Sequence, residues 1–336
     1  MSTSSMTPDR KSLGYIALFV GLLILPALGV YPVFMAKVLC FALFACAFNL
    51  LIGYTGLLSF GHAAFFGGAA YVAGHAMKVW AWPTPLGLAL GALTGAVIGL
   101  LFGWLAIRRS GIYFSMITLA LAQMLYFFFL QAPFTGGEDG LQSVPRGSFF
   151  GISLQDDLTL YFVIVGIVAA AFWLIHRTVH SPFGQVLKAI RENEPRAISL
   201  GYDVDRFKLL AFVLSAALTG LAGAMKTTLL GFATLTDAIW TMSGAVILMT
   251  LVGGMGTMTG PILGAAVIVL LENKVGDFGR WLADLTGINW FLALGESVTI
   301  VTGLIFVVCV LMFRRGIVGE CAVMLDRLTA RRSTVR

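Results

Sequence analysis

Long apolar runs, interrupted by short polar stretches, recur along the whole chain. Ten of them read as helices, near 13–30, 33–52, 63–79, 86–107, 112–131, 158–176, 208–232, 237–252, 257–271 and 293–313. A bilayer core needs about 20 residues of helix to cross it. The runs at 63–79, 237–252 and 257–271 fall short of that length, so they predict tilted, broken or re-entrant pieces. Such pieces are tolerated only where protein or a wet cavity satisfies their free backbone groups. The expectation is an all-α, polytopic integral membrane protein with about ten transmembrane helices, or eight to ten with re-entrant segments. It divides into a single transmembrane domain over 1–313 and a basic tail over 314–336.

Composition strengthens this picture and charge orients it. The 336 residues are 59% apolar and 11% charged, where soluble domains run at roughly 25% charged. A soluble globule is excluded, and the loops leave no room for a second soluble domain of ordinary size. The net charge of +6 would suggest nucleic acid in a soluble protein; here it is a topology signal. With the N-terminus inside, 16 of the 22 basic residues lie on inward segments: Arg10, Lys11, Arg108, Arg109, six in 177–208 and six arginines in 314–336. The other six, Lys37, Lys78, Arg146, Lys226, Lys274 and Arg280, fall on outward segments or helix ends. Both termini are therefore expected in the cytoplasm, with no nucleic-acid partner. The tail mixes its arginines with Ile317, Val318, Val323, Leu325 and Leu328, a composition that suits an anionic lipid surface as well as plain anchoring. Run 13–30 is longer than a signal-peptide core and reads as a retained first helix. Cys40, Cys46 and Cys309 lie in apolar runs and Cys321 in the tail, at no metal-ligand spacing, so no metal is expected.

The loop from Ser181 to Phe212 is the most informative polar stretch. Ser181-Pro182 is a helix start, an N-cap followed by a first-turn proline, and Asn193-Glu194-Pro195 repeats it. Gly201 supplies a stop. Two short helices on the inner side would expose Lys188, Arg191, Glu192, Glu194 and Arg196, either to dock into a groove of another protein or as a solvated hairpin. On the other side, 132–157 carries four carboxylates and Arg146, and reads as a docking or lid segment or as a simple connector.

Glycines give a second signal. Gly91, Gly95, Gly99 and Gly103 form a small-residue stripe on which a neighbouring helix can pack. Gly53, Gly56 and Gly61 are spaced much like Gly253, Gly256 and Gly260, which hints at two related halves. Broken backbone there could line a solute path with Asn49, Ser59, His62, Gln123, Thr257 and Thr259; alternatively these are helix-end turns and tight packing. Asn49 and Gln123 could equally bond across helices, for about 0.6 kcal/mol each. No run needs a charge at its centre, which weighs against proton or ion coupling by a stand-alone secondary transporter. Nor is there a nucleophile with a base, as an intramembrane enzyme would need.

The segment Lys188-Ala189-Ile190-Arg191-Glu192-Asn193-Glu194, followed by Ala197, Gly201 and Lys208-x-x-Ala211-Phe212, resembles the cytoplasmic coupling loop of ABC-importer permeases of the branched-chain amino acid family. The LivM-type membrane subunit is the most similar. Asn49-Leu50 with Gly53, Gly56 and Gly61, Arg109-Ser110-Gly111-Ile112-Tyr113-Phe114, Thr135-Gly136-Gly137 with Gly140-Leu141, and Gly253-Gly254-Met255-Gly256 with Gly260-Pro261 fit in order. The match runs from about residue 40 to 275 and departs from the family pattern at Pro195-Arg196.

The resemblance implies an inner-membrane ABC importer permease working by alternating access. Its implied partners are a paralogous LivH-type permease, two cytoplasmic ATPases and a periplasmic substrate-binding protein. The implied cargo is leucine, isoleucine and valine, or urea and short amides in a close branch. Lys188, Ala189, Arg191, Glu192, Glu194, Ala197 and Gly201 would then carry ATPase movement to the helices. ATP would bind the partners, leaving this chain without catalytic residues or cofactor. Consistent with that, Gly220 to Thr227 lacks the glycine that a Walker A motif places before its lysine, since Met225 stands there. Lys226 is expected to snorkel to the outer interface.

Overall fold

A computed structural model describes residues 29–286 continuously, together with residues 21, 26, 303, 304, 307 and 316–320. Most of the runs expected at 13–30 and 293–313, and most of the tail, lie outside the described residues.

The long helices are α1 (Pro32–Thr55), α2 (His62–Lys78), α3 (Thr84–Ala106), α4 (Ile112–Gln131) and α5 (Asp157–His180). Two short ones follow, α6 (Pro182–Glu192) and α7 (Glu194–Ser199), then α8 (Val204–Leu230), α9 (Trp240–Gly253) and α10 (Gly260–Thr286). A two-stranded hairpin, β1 (Ser148–Phe149) against β2 (Ile152–Ser153), precedes α5. Helix starts follow the local chemistry. Pro32 and Pro85 stand in first turns, and Asp156 caps α5 by accepting from the Thr159 backbone N–H at 3.0 Å. That bond and one from the Thr159 hydroxyl hold the Asp156 carboxyl below its ordinary pKa.

Among the described residues, α1, α3, α4, α5 and α8 are long and apolar enough to cross a membrane. At 1.5 Å per residue, the 14 residues of α9 reach only about 21 Å, which leaves it short of a full span. The run expected to end at 271 belongs to a 27-residue helix, because the polar residues after Leu271 end the apolar pattern without breaking the backbone.

α1 is the hub. It is apolar on all sides, and 78% of its most apolar window is buried against 28% for α4. Phe44 stacks on Phe66 of α2 with ring centroids 4.6 Å apart. α8 packs beside α1, and α3 lies on α8 through the glycine stripe. A β-carbon at Gly95 would overlap the Ala216 carbonyl, and one at Gly103 would stand 2.6 Å from Leu209 Cδ1. Gly220 answers from α8, where a β-carbon would stand 3.0 Å from Gly95 Cα. Backbone rather than flexible side chain faces Gly95, so relief is not available. Gly95→Leu is expected to cost about 3 kcal/mol or more, measurable as a lower thermal midpoint in detergent; an unchanged midpoint would remove α3–α8 contact from this face.

The segment 132–157 is a stitched cap at the end of the bundle away from α6. Leu141 and Ala233 exchange backbone hydrogen bonds at 2.9 Å, and the Val144 N–H donates to the Gly231 carbonyl at 2.8 Å. Arg146 pairs with Asp157 at 2.6 Å and donates to the carbonyls of Gln155 and Leu229.

Candidate coupling site

The two helix starts at 181–201 form as their residues dictate. The Ser181 Oγ accepts from the Gly184 N–H, and the Asn193 Oδ1 accepts from the Arg196 N–H at 3.0 Å. Gly201 ends the pair at φ +88°, a conformation glycine adopts without penalty. Ile190 and Ala197 bury against Val204, and Phe183 stacks on Phe207 at 5.6 Å, which fixes α6 and α7 to the start of α8.

The loop's charges divide by direction. Glu194 reaches Lys208, which is buried on α8, at 2.6 Å. Lys188 Nζ stands 5.9 Å from the ring centre of Tyr54, in the last turn of α1. Arg191 lays its stem against Gly56, where a β-carbon would come within 3.3 Å of its Cγ, and its Nη1 donates to the Gly53 carbonyl. Ala189, Glu192 and Arg196 point outward to the exposed surface, beside Ile198 and Leu200 at 57% and 68% exposure.

The two glycine groups meet. Asn49, inside α1, donates from Nδ2 to the Thr257 carbonyl at 2.9 Å and accepts the Gly256 N–H on Oδ1 at 2.9 Å. Gly53 must be glycine because a β-carbon there would stand 2.8 Å from Gly256 N and overlap the Asn49 side chain. Gly56 and Gly256 are both left-handed, at φ +77° and +73°. Thr257 Oγ1 accepts the Gly260 N–H at 3.1 Å, opening α10, while Gly253 lies flat against the Gly260 carbonyl. Gly316, at the start of the tail segment 316–320, sits on the same turn, where its β-carbon would come within 2.6 Å of Gly254 N. The end of α1, the α9–α10 turn and α6 therefore form one junction.

The family model described as "Branched-chain amino acid transport system / permease component" matches residues 32–310, a span that includes every element of this junction. The chain belongs to that family. It is 27% identical over 266 residues to the high-affinity branched-chain amino acid transport system permease protein LivM of Salmonella typhimurium, a match covering 71% of this chain and 62% of that one. The matched part thus spans less than two thirds of the relative's length. It is also 32% identical over 190 residues to the ribose import permease protein RbsC of Bacillus subtilis, covering 54% and 51% of the two chains. Among solved structures, PsaBC from Streptococcus pneumoniae in complex with Fab aligns at a TM-score of 0.41 and 16% identity, over 88% of this chain and 95% of that one.

In this family member the remaining sequence candidates lie apart from the junction's hydrogen bonds. Ser59 is buried and accepts the Gly61 N–H on its own hydroxyl at 3.1 Å. His62 is buried at the start of α2, its Nε2 2.9 Å from the hydroxyl of Ser215, which in turn donates to the Ala47 carbonyl. Three helices are joined there. Gln123 sits on α4, its Oε1 buried without a hydrogen-bond partner among the described residues.

One expectation is overturned. Lys226 does not snorkel; its side chain is 6% exposed, and Nζ meets both carboxylate oxygens of Asp237 at 2.7 and 2.6 Å. The same carboxylate accepts the Thr234 N–H and hydroxyl, each at 3.2 Å. The partner was hidden because Asp237 lies past the end of α8, in a single 3-10 turn (Leu235–Asp237) that folds back over it. A charge in an apolar helix with a carboxylate 11 residues on is the one signal that could have suggested it.

Proposed function

We propose that this chain is the membrane-spanning permease subunit of an ABC importer, carrying branched-chain, apolar amino acids across the inner membrane while separate cytoplasmic subunits hydrolyse ATP. The observation that carries this reading is the two-sided loop at 181–201. One side is tied into the bundle by Arg191, Lys188 and Glu194, and the other presents Ala189, Glu192 and Arg196 with Ile198 and Leu200. A solvated hairpin has no need of side-chain ties to a helix as remote in sequence as α1, whereas a surface that receives force does. The partners in this reading are a paralogous permease, two ATPases and a periplasmic binding protein, with α6, α7 and both termini on the ATPase side.

Glu192→Arg tests it, because Glu192 is exposed and its side chain makes no hydrogen bond or ion pair among the described residues. In the assembled importer, leucine uptake and substrate-stimulated ATP hydrolysis are expected to fall by about tenfold or more, with the permease still in the membrane at normal level. Full uptake by this variant would refute the docking surface. Competition of leucine uptake by isoleucine and valine, but not by urea or ribose, is expected for the proposed cargo.

A further inference from the structure

We infer that Arg191 is a positioning residue that pins α6 to both glycine breaks, so that the end of α1 and the α9–α10 turn move with the loop. The inference rests on the proposal that the outer face of α6 and α7 meets ATPase subunits.

α5 and α8 are continuous with the loop through the chain itself, so any displacement of α6 reaches them directly. The end of α1 and the α9–α10 turn have no such link: Gly53 lies 138 residues before Arg191, and Gly256 follows it only after the whole of α7, α8 and α9. The Arg191 side chain bridges that separation. Its stem packs on Gly56, its Nη1 donates to the Gly53 carbonyl, and a β-carbon at Gly256 would stand 3.2 Å from that same Nη1.

The acceptor suits a cation. Carbonyls in the last turn of a helix have no partner within it and form the negative end of its dipole. Lys188, one turn earlier on α6, approaches the same turn of α1 through Tyr54, so two cations of α6 address one helix end. Asn49 then carries the contact across, because it holds Gly256 and Thr257 against α1 only one turn before Gly53. A guanidinium fits this place better than an ammonium, since its planar fork can face two backbone segments at once.

The test uses the complete importer in proteoliposomes, with its ATPases and binding protein. Arg191→Met keeps the apolar stem and removes the guanidinium. The ATPases are expected to co-purify at the wild-type ratio and basal ATP hydrolysis to be unchanged. The maximal uptake rate is expected to fall by about tenfold, with the concentration of loaded binding protein giving half-maximal uptake unaltered. Arg191→Lys, which keeps one donor, should restore part of the rate. Wild-type uptake by Arg191→Met overturns the pin, and so does loss of ATPase co-purification, which would put Arg191 in the docking surface instead. Should Arg191→Met not reach the membrane, Arg191→Lys carries the test: reduced uptake with unchanged hydrolysis supports the pin, and wild-type uptake overturns it. A wild-type chain that recruits no ATPase sinks the permease assignment, whereas an intact importer indifferent to Arg191→Met sinks only the pin.

Discussion

Lys226→Met is expected to destabilise the protein by about 3–5 kcal/mol, the range for leaving one partner of a buried ion pair without its counter-charge. Asp237 is nearly as buried as its partner, with side-chain exposures of 3% and 6%, so water cannot take the place of the ammonium. Two bonds from Thr234 would remain to the carboxylate, and these orient it without neutralising it. Asp237→Asn should cost a comparable amount, because Lys226 is then the buried charge left without its partner. The double variant should be more stable than the sum of the two single losses predicts, since neither buried charge then stands alone. Thermal unfolding of the four proteins in one detergent makes the comparison. Strictly additive losses, or single losses below about 1 kcal/mol as for an exposed pair, would mean that the pair is open to water.

The helices were legible because each is written in local chemistry. Ser181-Pro182 and Asn193-Glu194-Pro195 marked the starts of α6 and α7 to the residue, and both caps form. The stripe from Gly91 to Gly103 announced a close approach, and α8 supplies it through Ala216, Gly220 and Ala224. What local chemistry cannot carry is the identity of a distant partner. The likeness between the groups at Gly53 and Gly253 was visible as a hint of duplication, yet their direct contact, across a separation of 207 residues at Asn49 and Gly256, was not. His62 likewise gave no sign of Ser215, 153 residues away. Lys226 misled for the opposite reason. Its partner is close in sequence but lies beyond a helix end, where an apolar-run reading sees the start of the next run, at 237, and no fold-back. The loop charges were seen as one exposed set because helical spacing ranks residues by face only when the neighbouring helices are known. With α1 and α8 in place, Arg191, though still exposed, and the half-buried Glu194 reach partners in the bundle, while Glu192 and Arg196 stay at the surface without one among the described residues.

Asn49→Leu is expected to open the junction while leaving the bundle folded. Its amide makes one donated and one accepted bond to the α9–α10 turn, and leucine of similar size replaces neither. The Gly256 N–H and the Thr257 carbonyl would then be unpaired in a half-buried place, at about 1–3 kcal/mol in total after partial hydration. That is a modest loss for a bundle held by α1, α8 and the glycine stripe, and folded protein should still be recovered. Function should suffer more, because among the described residues only Asn49 ties this turn to α1 through side-chain hydrogen bonds. Leucine uptake by the importer is expected to fall by about tenfold, alongside a thermal midpoint lowered only slightly. Asn49→Asp divides the two bonds. Its carboxylate can still accept the Gly256 N–H but meets the Thr257 carbonyl with a repelling oxygen, so its uptake should lie at or below that of Asn49→Leu. If Asn49 instead only fills space beside Gly53, Asn49→Leu should import at the wild-type rate and Asn49→Asp should differ from it only in stability.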